Sequence, residues 1–236
     1  MKSILLPLLL SSAAMAGTQI VPAPLDHLYI PAGFDSNDSV EVVVTGSFPN
    51  SCYSRNKVEV KVKDELIDIK VTAIAPAEET LTERACAQMI VPFTEVVSVG
   101  NLQGGEYEVR VNEGAGSSLR DKISISEATS NSVDDNIYAA IEWVERKSRD
   151  EVVLHGWRYS NCIELDEVKV RTNGKDTLSV LPVMKQLSTF CPMKMMPVSY
   201  PVKLDYSSIK INQPLLHVRT MDGKSVNSII NIEDRR

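Results

Sequence analysis

Three histidines, His27, His155 and His217, are the side chains of this chain suited to act as bases near neutral pH. A hydrolase built on one of them needs a nucleophile within reach, and no G-x-S-x-G turn is present. The four cysteines, Cys52, Cys86, Cys162 and Cys191, are an even set that reads as two disulfides, which leaves no free thiolate. His155 stands just before Gly156 in a strand-like run, and an internal repeat described below matches it with Thr45. A surface-facing strand residue is therefore expected. The paired carboxylates Glu78-Glu79 and Asp134-Asp135 fall in turns or linkers and read as solvated charges, not as an acid–base pair. No catalytic signature emerges, so the chain reads as a non-enzyme without a cofactor.

Metal chemistry has two openings. Met184, Met193, Met195 and Met196 cluster around Cys191, and thioethers select copper(I). The repeat, however, lays Met195 and Met196 over Ile90 and Val91 on an apolar strand, which predicts core packing, and lays Met193 over Gln88. Hard oxygens gather at Asp35-Ser36-Asn37-Asp38 and at Asp134-Asp135-Asn136, a donor set suited to calcium between modules. Without EF-hand spacing, turn chemistry accounts for both runs. No metal site is expected.

The segment before each first cysteine could make contacts. Gly46-Ser47-Phe48-Pro49-Asn50-Ser51-Cys52-Tyr53 and Gly156-Trp157-Arg158-Tyr159-Ser160-Asn161-Cys162 put aromatic residues, and in the second case an arginine, on a loop clamped by a disulfide. The expectation is that Phe48 and Trp157 plug the ends of their domains. Trp157, Arg158 and Tyr159 are the candidates if the chain has a binding face.

Those residues need elements to hold them. The 236 residues carry a net charge of −6, 43% apolar residues and a mean hydropathy of −0.08, the proportions of a soluble globular protein. A pI near 5.2 leaves no basic surplus for nucleic acid. Residues 1–16 read as a secretory signal peptide: Lys2, an apolar run from Ile4 to Leu10, then Ala14-Met15-Ala16. No later stretch is long enough to span a bilayer.

A duplication organises the remainder. Asp26-His27-Leu28-Tyr29 aligns with Asp135-Asn136-Ile137-Tyr138, and Glu41–Gly46 with Glu151–Gly156. Cys52 then aligns with Cys162, Cys86 with Cys191, Pro92 with Pro197, and Val109-Arg110 with Val218-Arg219. This divides the chain into domains 17–128 and 129–236 and favours pairing within each copy, Cys52–Cys86 and Cys162–Cys191. Apolar residues alternate with period two in short Val- and Ile-rich runs, such as Val40–Val44, Val58–Val62 and Val168–Val170. Asn173-Gly174 and Asp222-Gly223 punctuate them as tight turns. About seven antiparallel strands per copy follow. Asn136–Lys147 also has helical spacing, but the repeat sets Ile137–Ala139 over Leu28–Ile30, where Pro31 forbids a helix interior, and a strand is expected.

The fold class is thus all-β, two tandem antiparallel β-sandwiches with one disulfide in each. The arrangement resembles the tandem immunoglobulin-like or fibronectin-like modules of exported bacterial envelope proteins. It departs from the immunoglobulin pattern in its closer cysteines and in Trp157 preceding its cysteine. The resemblance implies an exported binding or structural protein of the periplasm or cell surface whose partner is another envelope protein or a surface ligand. The alternatives are a copper-handling protein using the methionines, and an inhibitor or accessory subunit that accepts a partner strand.

Overall fold

A computed structural model describes residues 17–77, 85–132 and 134–232. The signal-peptide segment and the Glu78-Glu79 pair lie outside the described residues. The chain is all-β, with a short 3-10 turn at Met221–Gly223.

The first half contains β1 (Thr18–Pro22), β2 (Leu25–Tyr29), β3 (Val40–Phe48), β4 (Ser54–Lys63), β5 (Leu66–Pro76), β6 (Val91–Gly100), β7 (Gly105–Val111) and β8 (Leu119–Ile125). The second contains β9 (Ile137–Tyr138), β10 (Ala140–Arg146), β11 (Glu151–Ser160), β12 (Ile163–Thr172), β13 (Thr177–Gln186), β14 (Met193–Lys203), β15 (Leu215–Thr220) and β16 (Lys224–Ile229). In the first half a three-stranded sheet, β2-β3-β6, faces a five-stranded sheet ordered β1-β5-β7-β8 with β4 also on β5. The second half repeats this with β10-β11-β14 against β12-β13-β15-β16, where β9 also pairs with β13. Val42, Val44, Ile67, Ile69, Val109 and Val111 fill the first core; Val152, Leu154, Leu178, Val180 and Val218 fill the second. Each half holds one disulfide, Cys52–Cys86 and Cys162–Cys191, with Cα atoms 5.4 and 5.7 Å apart. Two disulfides point to an oxidising, non-cytoplasmic location. Among the described residues, no helix is long and apolar enough to cross a membrane.

Three sequence expectations need correction. The sheets are not purely antiparallel, because β5–β7 and β13–β15 pair in parallel. The repeat is also misaligned at its start. Leu25 lies opposite Gly46 and His27 opposite Thr45, while Ile141 lies opposite Gly156 and Trp143 opposite His155. Asp26–Tyr29 therefore corresponds to Glu142–Glu145, and the Tyr138 match is coincidental. Ile137-Tyr138 forms β9, which pairs with β13 as β1 pairs with β5. Residues 137–146 are strands as expected, but their pairing is the reason, not the alignment with Pro31.

The third correction concerns Asp134-Asp135, which are not free charges. The two halves dock, and the consecutive valines of β3 show how. Val42 and Val44 point into the first core, while Val43 points outward and packs with Tyr29, Leu215 and Ile211 of the adjoining surface. From Thr177 to Met184, β13 is buried on both faces, as is all of β15. Across this contact the Tyr29 hydroxyl donates to the Gln213 carbonyl (2.9 Å) and the Ala32 amide to Ser179 Oγ (3.0 Å). Asp134 and Asp135 sit beside it, engaged with Arg219 and Asn37.

Candidate functional site

The two oxygen-rich runs meet at the contact between the halves, and the cation between them is a guanidinium. Arg219 is buried and donates to both carboxylate oxygens of buried Asp38, one contact at 2.7 Å, and to Asp134 Oδ2 at 3.2 Å. Its planar head lies over the Phe34 and Tyr138 rings, 5.4 and 4.7 Å from their centroids. Burial alone would lower the arginine pKa, but the Asp38 pairing outweighs it and holds the charge on. The Asn37 amide donates to Asp135 Oδ1 at 2.9 Å, and the Thr129 and Ser130 hydroxyls hold that carboxyl well below its usual range. Among the described residues no cluster of three or more His, Cys, Asp or Glu side chains could hold a metal ion.

Two of the three histidines belong to the same contact. His27 Nε2 is 2.8 Å from Asp176 Oδ2, whose side chain is fully buried. His217, also buried, shares Asn227 Oδ1 (2.9 Å) and Glu41 Oε1 (3.3 Å). Both join one half to the other.

His155 stands apart, on the outward face of β10-β11-β14. Val152 and Leu154 point into the core, so the odd-numbered residues of β11, His155, Trp157 and Tyr159, face out. A bulge at Glu142 shifts β10 by one residue and sets Trp143 opposite His155. The indole stacks on the imidazole with centroids 3.9 Å apart and planes 12° from parallel. His155 Nε2 is 3.0 Å from Glu145 Oε2, and its Nδ1 is 2.9 Å from Ser199 Oγ. Lys147, ahead of His155, holds the Glu145 carboxyl below the usual range, so it is ionised and can only accept. The Nε2 position must then carry the imidazole proton, and Nδ1 accepts from the serine hydroxyl.

The structure separates the residues singled out from the sequence. None of the three lies on a loop, because β11 runs through Ser160. Trp157 and Tyr159 face out, while Arg158 alternates inward opposite Met196, its Nε buried and without a partner among the described residues. Phe48 is core as expected and stacks on Phe93. Trp157 is only half-buried, and its counterpart by pairing is Ser47, since Gly46 and Gly156 match. Met195 is not core. It is 52% exposed, as Met193 (83%), Phe190 (80%) and Leu187 (54%) are, around the Cys162–Cys191 bond. Ile90, just before β6, is exposed at the matching place, so the core ends short of this position in both halves. Trp143, Glu145 and Ser199 were not identifiable from the sequence, because only strand register brings them to His155.

Against known proteins, one domain model matches. Residues 42–119 match a family described as the ORF11 beta-sandwich domain. That match lies wholly in the first half, agrees with the sandwich seen there and does not reach the Trp143–His155–Ser199 face. No curated protein and no solved structure matches the chain.

Proposed function

We propose that this protein is an exported binding or structural component of the bacterial cell envelope, and that it takes its partner on the outward face of β10-β11-β14. One observation carries this reading. On the equivalent face of the first half, the second half packs over Tyr29 and Val43 of β2 and β3 and leaves only the β6 side, with Val96, exposed, whereas in the second half the face presents Trp143, half exposed, on β10. That open face holds both tryptophans of the chain, Trp143 and Trp157, beside Tyr159. Rigid aromatic side chains on a flat sheet supply contact area with little ordering entropy.

Crosslinking of the mature protein in its own envelope fraction, followed by mass spectrometry, tests this. A specific protein or glycan captured by the wild type and lost in Trp143→Ala is the expected result. Trp143 is half exposed, so its removal should change stability by only about 1 kcal/mol. Capture that persists in Trp143→Ala and Trp157→Ala would move the contact elsewhere.

A second reading rests on the exposure of Met193 and Met195, which frees both thioethers to meet a metal. Copper(I) titration against a competing chelator decides it. Affinity weaker than micromolar, or unchanged after both methionines become alanine, ends that reading. Strand addition at β14 is disfavoured by Pro197 and Pro201, which remove two donors from that edge.

A further inference from the structure

We infer that Ser199 is an activated nucleophile able to accept an acyl group from carboxylic esters, with His155 as its base and Glu145 as the residue that orients the base. Hydroxyl, imidazole and carboxylate come from three adjacent strands and form a continuous relay, 2.9 Å from Ser199 Oγ to His155 Nδ1 and 3.0 Å from His155 Nε2 to Glu145. Such relays are recognised by geometry and not by sequence position or chain order. Each member is held in place. Lys147 pairs with Glu145, Trp143 fixes the plane of the imidazole, and β11–β14 pairing sets His155 directly opposite Ser199.

The same strand supplies an oxyanion donor. In an antiparallel ladder, residues alternate between amides turned toward the neighbour and amides turned away. Proline has no N–H and is tolerated where the amide faces away from the ladder. Pro197 and Pro201 are paired opposite Trp157 and Val153, so both occupy outward positions. Ser199, midway between them, shares that orientation, and β14 is the outermost strand of its sheet. Its own amide therefore points from the free edge, next to its hydroxyl, with neighbours that cannot compete for the same acceptor.

The chemistry balances without a cofactor. Ser199 Oγ attacks the ester carbonyl carbon while its proton passes to His155 Nδ1, and the Ser199 amide receives the oxyanion. The carbon–oxygen bond to the alcohol then breaks, and the alkoxide leaves with the proton from His155. Water attacks the acyl-serine by the same route, returning the hydroxyl and releasing a carboxylic acid. A single amide donor on an open face suits esters, whose alcohol leaves more readily than an amine. Trp157, opposite Pro197, and Trp143, stacked on the imidazole in the serine's own row, offer an apolar surface to the ester.

A fluorophosphonate probe applied to the full chain reads this directly, because serine oxygen displaces fluoride from phosphorus and hydrogen fluoride is lost. Peptide mass spectrometry should find the label on Ser199 and none in Ser199→Ala. The labelling rate should fall about a hundredfold in His155→Gln, the scale of a lost general base. Glu145→Gln should slow labelling at least several-fold with an unchanged melting temperature, which keeps the test decisive if His155→Gln misfolds. No label on Ser199, or a rate at Ser199 unchanged in both variants, overturns the inference. The test is independent of whether the face captures an envelope partner.

Discussion

Gly156 and Gly46 sit where β10 and β2 come closest to the strand beside them. A methyl group at Gly156 would collide with the Ala140 carbonyl and the Ile141 backbone; at Gly46 it would collide with the Pro24 carbonyl and the Phe93 ring. Neither glycine has positive φ, so close approach alone fixes the residue. Gly156→Ala should cost about 1–3 kcal/mol, as overpacking does, and should disturb the seat of Trp143. A urea titration that finds Gly156→Ala as stable as wild type would contradict this. Arg219 is a second position where one atom group decides the outcome. Arg219→Ala leaves buried Asp38 charged and unpaired and should cost about 3–5 kcal/mol, and Asp38→Asn in the same chain should recover part of the loss. Site chemistry was hardest to read at this scale. His155 was visible and its strand was correct, but Glu145 and Ser199 reach it only through pairing register and a bulge. Neither leaves a mark in the spacing of the three residues.

At the scale of elements, alternation of Val and Ile located strands such as β3, β4 and β12, because a half-buried strand must alternate, but it did not mark β1 or most of β14. The pairing within each disulfide was legible from the duplication. Breaking Cys52–Cys86 by double serine substitution releases a constraint spanning 34 residues and should cost about 4 kcal/mol in the chain-entropy model. Denaturant melts check that figure. What misled was local similarity: Tyr29 and Tyr138 each follow an aliphatic residue, yet Tyr29 lies in a strand of the smaller sheet and Tyr138 in one added to the larger. Met195 misled for a related reason. Its strand is apolar by composition, but the core ends before reaching it, and composition does not say where a sheet stops.

The whole molecule is two sandwiches fastened by ionisable groups, and its stability should follow them. Burial, with help from Asp38, pushes Asp35 up to about 6. Asp35 thus binds a proton more readily folded than unfolded, so its contribution grows as pH falls through about 6. Burial acts against Glu41 and Asp176 too, but His217 with its neighbours and His27 with Asn173 hold both below their ordinary values. Their contribution is present above the ordinary carboxylate range and is lost as pH falls through the lower folded values. The melting temperature should therefore rise from pH 7.5 to about 5 and drop below about 4. Asp35→Asn should shrink the rise, part of which remains because burial raises Asp134 as well, and leave the drop; a profile flat from pH 7.5 to 5 in the wild type would sink the assignment. The Asp38–Arg219 pair has one more consequence, for the order in which the chain is made. Asp38 leaves the ribosome early and its guanidinium partner late, with almost the whole second half between them. A nascent first half must carry a carboxylate that has no burial place yet, so the seam between the halves closes last, and synthesis halted before Arg219 should yield a first half that stays open to protease.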